Sequence, residues 1–508
     1  MSTHRPSEPG ASQATGETAH GDMPPEEFRH FGHEVVDWIA DYLAGVDDYP
    51  VLARVAPGDV RGALPDAAPE EGEDMADVLR DFDEIVVPGV THWNHPSFHG
   101  YFAVTGSGPG ILGEMLSAAL NINAMVWRSS PAGTELEEHA LDWLRGMIGL
   151  PEAFEGVIND TASSSSLYAL AAAREAGLPE ARENGLSGAP RARIYASAEA
   201  HSSIDKAAIT LGFGRHGVTR VATDDDFRMD VDALRAAIAE DLARGVRPVA
   251  VVATVGTTST TSVDPVDAVA DVAEEHDMWL HVDAAYAGSA AVVPELRPLF
   301  RGWERADSVV MNPHKWLFTP VDCSVLYCRR PEMLRAAFSL TPEYLRTSEQ
   351  GVAKNLMDYG IALGRRFRAL KVWFVLRYFG RRGIAHRIRE HVRMAAEVAS
   401  RIDGGEGWER VAPHPFSTVV FRFAPEGVEE EEVDRMNHAI LDRVNASGEA
   451  FLSHTVLRGR VCLRLSVGNL RTTRTHLHRT WDLLEASAAA VLAEYAGPRS
   501  MAAPGAAG

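Results

Sequence analysis

A lysine does nucleophilic chemistry only where it is stripped of water, and one lysine in this chain keeps suitable company. The segment ADSVVMNPHKWLF, residues 306–318, sets Lys315 after an apolar run and directly before Trp316, Leu317 and Phe318. Such neighbours favour the neutral amine. The plain alternative is a surface lysine lying along apolar surface with its ammonium in water. Of 49 basic residues only four are lysines (Lys206, Lys315, Lys354 and Lys371), a bias that GC-rich coding would produce. Earlier in the chain, MWLHVDAAYAG ends a β-like run on Asp283, followed by Ala284 and Ala285. Carboxyl ends of parallel strands face the ligand crevice. An acid there could hold a protonated ring nitrogen, and the alanine methyls leave room for a flat ring. Earlier still, AEAHSSIDKA puts His201 just past another β-like run, where an imidazole could stack on that ring.

A second kind of chemistry is written in INDTASSSSLYAL. A hydroxyl-rich turn that opens a helix offers free N–H groups and a favourable dipole to an anion. Its bland alternative is a flexible linker. Two other patterns promise less. GPGILG (Gly108, Gly110, Gly113) has the form GxGxxG, but a dinucleotide site needs an acid at the end of a second strand about 20 residues on. VWRSSPAG stands there instead, so these glycines are expected to make a turn. THWNHPSFH spaces His92, His95 and His99 like metal ligands on a helix face. Pro96 breaks such a helix and no acid accompanies the imidazoles, so a pocket-lining loop is expected and no metal.

These residues need elements to position them. Helical spacing over residues 26–44 gathers Phe28, Phe31, Val35, Trp38, Ile39 and Tyr42 on one face. A Pro/Gly/acid-rich connector (57–74) and a short helix (75–84) follow, and the apolar stripe calls for a partner surface. From 105 to 375, apolar runs at 193–197, 249–255, 278–283, 308–312 and 324–328 alternate with helical stretches such as 231–244 and 265–276. That alternation predicts an α/β domain with a mainly parallel sheet covered on both faces. Beyond it, a helix (377–402), strands (417–423, 461–467) and helices (429–446, 474–495) read as a smaller α+β domain. The expected organisation is a tail 1–22, an N-terminal helical dimerisation segment 23–106, a large domain 107–373, a small domain 374–495 and a tail 496–508.

Composition sets outer bounds. Acidic residues outnumber basic ones 71 to 49, a formal charge of −22, which argues against a nucleic-acid binder. No run of about 18 apolar residues suggests a membrane span. The first residues lack the apolar core of a signal peptide, so a cytoplasmic protein is expected. Cys323, Cys328 and Cys462 make neither a disulfide framework nor a CxxC zinc pattern.

Taken together, the stretches PGVTHWNHPSFHGYF, SPAGTELE, HSSIDKA, ATVGTTSTTSVDP, WLHVDAAYAGSA, NPHKWL, DCSVLY and LGRRFRALKVWF resemble the group II pyridoxal-phosphate-dependent amino-acid decarboxylases, of the aromatic-L-amino-acid, tyrosine and tryptophan type. The resemblance runs from about residue 26 to 490 and implies a fold-type I α/β architecture, a homodimer and pyridoxal 5′-phosphate as cofactor. It implies that Lys315 forms a Schiff base with the cofactor, Asp283 pairs with the ring nitrogen, and His201 stacks on the ring opposite Ala285. By the same resemblance Thr258 lies near the ring's polar edge, while Ala162, Ser163 and Asn312 serve the phosphate. The substrate pocket would comprise Tyr101, Phe102, Val104 and Met125. Val104 stands where relatives often carry Thr, and Met125 where they often carry Phe. Ser164, Ser165 and Ser166 replace the usual acidic or small residues. These departures bear on substrate identity.

The implied reaction is decarboxylation of an aromatic L-amino acid to the amine. The first alternative is an aromatic acetaldehyde synthase of the same family. Acidic-substrate decarboxylation lacks a pair of arginines to mark it, and a nicotinamide oxidoreductase rests on GPGILG alone. The polar stretch LTPEYLRTSEQGVAKNLMDYG has the composition of a lid. In the family a lid tyrosine protonates the carbanion, and Tyr344 stands at that position. Aldehyde-forming relatives tend to carry Phe there, and some carry Asn in place of His201, so both residues favour amine.

Overall fold

Buried parallel strands read in sequence as unbroken apolar runs, because helices cover both faces. In the computed structural model, which describes residues 21–102, 104–340 and 352–496, those runs form a seven-stranded sheet. Its strands are β1 (Glu155–Asn159), β2 (Ala192–Ser197), β3 (Val218–Val221), β4 (Arg247–Thr254), β5 (Trp279–Asp283), β6 (Ser308–Met311) and β7 (Ser324–Cys328). The spatial order is β1-β7-β6-β5-β4-β2-β3. Strands β3, β2, β4, β5 and β6 run parallel, and β7 runs antiparallel to both β6 and β1. Every residue of β5, β6 and β7 is buried. Alternate residues feed two cores: Val251, Leu280, Val282 and Val309 join one, while Ala250, Val252, Trp279 and Leu326 join the other. The helix Ala162–Gly177 packs across β4 to β7, and Val231–Ala243 and Val266–Glu275 pack on β4.

A four-stranded antiparallel sheet, order β10-β11-β9-β8, builds the C-terminal part from β8 (Trp408–Arg410), β9 (Thr418–Phe423), β10 (Ser453–Leu457) and β11 (Arg460–Ser466). Its apolar face packs with helices Glu430–Ser447 and Arg474–Ala496 and with the end of Arg368–Gly404. That last helix is broken at Gly380, where φ is +61° and ψ 167°, a conformation only glycine adopts cheaply. The expected α/β and α+β elements are present. Strands β1, β3, β8 and β10 and the start of the long helix went unread in the sequence.

The described chain falls into two units, one within Met1–Tyr49 and Ala53–Val90, the other within Pro50–Leu52 and Thr91–Gly508. In the first, the helix Pro25–Ala44 forms where the spacing predicts it and buries none of its residues. Trp38 stacks on Tyr42 (5.3 Å), meets Phe82 edge-on (5.0 Å) and donates Nε1–H to Asp83. Among the described residues, no helix is long and apolar enough to cross a membrane.

Two expectations are corrected. GPGILG is not a turn: it opens the helix Gly108–Leu120, with the Ser107 hydroxyl accepting the Gly110 N–H. Its glycines make room, since a Cβ on Gly113 would stand 2.8 Å from Cα of Lys371 and one on Gly110 2.4 Å from Pro320. THWNHPSFH does not line the cavity described below. It packs against the C-terminal sheet region, where His99 N–H bonds Phe451 O, Phe98 bridges to Phe451, and His99 Nδ1 donates to Ser466 O. Burial holds the His99 imidazole down at about 4. No group of metal-ligating side chains occurs among the described residues.

Candidate active site

The parallel strands deliver their carboxyl ends to one cavity of about 220 Å³. Asp283 ends β5, and Asn312 and Lys315 follow β6 in the turn that returns to β7. Thr254 ends β4 and leads into the loop that holds Thr258. His201 follows β2. All of these line the cavity, with Phe102, Thr161, Ala162, Ser163, Ser203, Gly256, Ala285, Tyr286 and His314. Gly256 is obligatory in that loop: its φ is +89°, and a Cβ would lie 2.8 Å from that of Ala287.

Electrostatics divide the lining. Lys315 Nζ stands 5.1 Å from the Phe102 ring centroid. Burial lowers its pKa, Arg464 adds to the lowering, and the Asp283 carboxylate opposes it. Asp283 is buried, and its Oδ1 accepts the Ala285 N–H at 3.0 Å. His201 lies at the mouth. Its Nδ1 accepts the Ser203 N–H at 3.1 Å, so the neutral ring carries its proton on Nε2, and partial burial lowers its pKa. His314 is held down at about 4 by burial and by Lys315. It accepts the Cys323 N–H at Nδ1 and meets Asn312 Nδ2 at 3.2 Å.

The anion cradle is the start of the helix Ala162–Gly177. Its cap residue Thr161 makes no side-chain cap, which leaves first-turn N–H groups for a ligand. Nearby, Thr254 Oγ1 is buried without a hydrogen-bond partner, and Asn312 is buried beside His314, whose Nε2–H its amide oxygen can accept. An amine, an acid, an anion cradle and an unsatisfied buried hydroxyl around a small cavity fit pyridoxal phosphate. Lys315 could hold its aldehyde carbon, Asp283 its ring nitrogen, and Ala162 and Ser163 its phosphate.

Of the expected substrate pocket, only Phe102 reaches the cavity wall. Tyr101 is half exposed and packs with Trp93 and Phe451 at 5.7 and 5.6 Å. Met125 lies with Val126 and Met357 in a separate small cluster. Val104 is half-buried off the cavity. Tyr344 lies outside the described residues.

Sequence reading missed Arg464 and Tyr286. Arg464 stands 5.3 Å from the Phe102 centroid and donates to Ser259 O, Gly100 O and Ser453 Oγ, while its Nη2 finds no partner. Burial brings even this guanidinium down to about 10. Tyr286 stacks between Phe102 (3.9 Å) and Trp316 (4.9 Å). HVDAAYAG contained Tyr286 in plain sight. Nothing local to Arg464 signalled that two of its three partners, Gly100 and Ser259, lie more than 200 residues away.

Comparison with known proteins gives the same reading. Residues 57–424 match the pyridoxal-dependent decarboxylase conserved domain. The chain is 40% identical over 480 residues to phenylacetaldehyde synthase of Arabidopsis thaliana, covering 92% of this chain and 97% of that one. It is also 40% identical over 498 residues to tyrosine decarboxylase 4 of Petroselinum crispum, covering 95% and 97%. The crystal structure of Oryza sativa TDC with PLP and tryptamine superposes with a TM-score of 0.90 at 37% identity, over 92% of this chain and 99% of that one. The architecture is therefore that of a fold-type I enzyme with pyridoxal 5′-phosphate as cofactor. With the lysine, the acid and the anion cradle gathered in one cavity, the chain belongs to the pyridoxal-dependent decarboxylase family, in the branch that holds both aromatic amino-acid decarboxylases and aldehyde synthases.

Proposed function

We propose that this protein decarboxylates an aromatic L-amino acid to the corresponding amine and carbon dioxide. The observation that carries the reading is one cavity holding Lys315 and Asp283 together with the aromatic wall of Phe102 and Tyr286. When bound, the cofactor supplies an electron sink for the pair left at Cα after the carboxylate departs. The rest falls to the protein. Lys315, with its pKa lowered by burial, offers a neutral amine at lower pH than an exposed lysine does. Asp283 keeps a ring nitrogen protonated. Arg464, with a buried unfilled donor, is suited to orient a substrate carboxylate. His201, with its proton on Nε2, can give or take a proton at the mouth.

An aldehyde synthase is the second reading, because relatives of both kinds match equally well. Tyr344 and His201 favour the amine. Purified enzyme given tryptophan, tyrosine, phenylalanine, dihydroxyphenylalanine, histidine and glutamate in turn should release amine from an aromatic substrate with little peroxide. Peroxide in step with carbon dioxide would establish the synthase instead.

The proposal includes a homodimer. The helix Gly108–Leu120 leaves Leu112, Met115, Leu116 and Leu120 exposed, an apolar surface suited to a second copy. The chain segments carrying Tyr101, Val104 and Met125 flank this helix, so a second copy is where they could complete a pocket. Light scattering that finds a stable monomer at micromolar concentration would refute this.

A further inference from the structure

His281 lies in β5 two residues before Asp283, so the two side chains share one face of the strand. The imidazole is fully buried. Its Nε2 meets Ser166 Oγ at 3.2 Å, and its Nδ1 meets Ser308 Oγ at 2.9 Å. Ser308 Oγ also accepts Trp279 Nε1–H at 2.8 Å. Ser166 sits one turn into the helix whose first residues, Ala162 and Ser163, form the anion cradle. The neighbouring Ser165 makes a separate tie, with its Oγ 2.9 Å from Ser324 Oγ on β7 and accepting Asn159 Nδ2 from β1.

We propose that His281 is a positioning residue: it pins the phosphate-cradle helix to the strand that carries Asp283, and so fixes the span between the two ends of the cofactor. The inference rests on the cofactor identity established above and assigns His281 no contact with the cofactor. Cofactor binding requires the acid at one end and the cradle at the other to stand a set distance apart. They belong to different elements, joined through packing and a few side-chain bonds. Most of that packing is apolar and non-directional. The His281–Ser166 bond is directional and ties the cradle helix to β5 itself, whereas Ser165 ties it to β7 and β1.

The ring suits the task because it stays uncharged. Burial holds its imidazole down at about 4, against the pull of Asp283. A neutral imidazole has one N–H and one lone pair, and each hydroxyl can donate or accept, so either tautomer satisfies both bonds. A charged ring would compete with the cofactor's ring nitrogen for Asp283. In this reading two of the serines of TASSSS that depart from the family pattern face down into the sheet rather than toward a ligand. They fasten the cradle.

The test compares pyridoxal 5′-phosphate with pyridoxal, which lacks the phosphate. Apo enzyme is titrated with each for wild type, His281→Phe, His281→Gln, Ser166→Ala and the double variant His281→Phe/Ser166→Ala. Thermal unfolding and circular dichroism report the fold. We expect His281→Phe and Ser166→Ala each to narrow the affinity ratio between the two ligands by about tenfold, the factor that one hydrogen bond of ordinary strength supports. The double variant should lose no more than either single one, because both break the same bond. His281→Gln, whose amide can reach Ser166, should restore most of the ratio. A role in stability alone would lower the melting temperature and weaken both ligands equally. An unchanged ratio in His281→Phe, or in Ser166→Ala where the phenylalanine variant does not fold, overturns the proposal, as does strict additivity in the double variant.

Discussion

The ammonium of Lys315 lies over the ring of Phe102, 5.1 Å from its centroid, and the guanidinium of Arg464 takes up a similar position at 5.3 Å. Two cations thus share one aromatic ring in a buried site. Each raises the cost of charging the other, which is one reason the lysine pKa is lowered. A lysine so placed is primed for attack on a carbonyl.

Lys315→Ala should therefore abolish the visible absorption of lysine-bound cofactor and lower turnover by at least about a thousandfold. No other lysine can take its place. Lys354 is paired with Glu155 at 2.9 Å, Lys371 is buried on Glu114 at 2.9 Å, and Lys206 is exposed on the helix Ser203–Thr210. Borohydride trapping and peptide mapping check this. A labelled peptide in the variant would identify another anchor.

Asp283→Asn keeps the shape of the side chain and its bond to the Ala285 N–H. In the role proposed for Asp283, it removes the charge that would keep the ring nitrogen protonated. Turnover should fall at least about a hundredfold, equivalent to roughly 2.7 kcal/mol of transition-state stabilisation, with cofactor still bound. Absorbance titration and steady-state rates separate the two effects. Turnover at the wild-type level would assign the control of ring electronics to another group.

Tyr344→Phe decides between amine and aldehyde. A phenol in reach of Cα can deliver the proton that makes an amine, whereas a phenyl ring cannot. Assayed in air, the variant should lose most amine and, with dissolved dioxygen as the oxidant reduced to peroxide, gain aldehyde and ammonia in step with it. A variant that still makes amine alone would remove Tyr344 from the reaction.

Stability should be acid-sensitive in a window set by histidine. His99, His281, His314 and His391 are all buried, with pKa values held at about 4. In the unfolded chain they titrate near 6.5. Between these values the unfolded chain binds more protons, so the stability these groups contribute is present above about pH 6.5 and lost as pH falls toward 4. Each contributes up to about 1.4 kcal/mol per pH unit inside the window. At His391, Nδ1 accepts the Trp316 indole N–H at 3.0 Å and Nε2–H donates to Asn469 O. Urea unfolding of the apo protein from pH 7.5 to 4.5 should show the decline, and His391→Gln should make it shallower. An identical slope in the variant would take His391 out of the account.

Much of the large domain could be read from sequence because β4 to β7 are buried almost throughout and appear as apolar runs. Strand β1 escaped notice because EGVIN begins with an exposed Glu155 and with Gly156, a position where Leu141 and Tyr327 leave no room for a side chain. Lys315, Asp283 and His201 could be found because each closes or follows a readable strand. Arg464 could not, since an arginine in an alternating strand looks like a solvent-facing residue until its partners Gly100 and Ser259 are known. His281 sat inside a motif already singled out, and only the helix folded above it supplied its partner.

The turn that carries Lys315 joins two sheet neighbours running in opposite directions, since β7 returns directly beside β6. A hairpin of this kind closes a short loop, at small entropic cost. The other cofactor holds are assembled over long range: β5 reaches the cradle helix through His281 and Ser166, 115 residues apart in the chain. Attachment and recognition thus have different contact orders. The proposed covalent foothold is a local structure that can form early, whereas the geometry proposed to select and activate the cofactor exists only once distant parts of the chain have met.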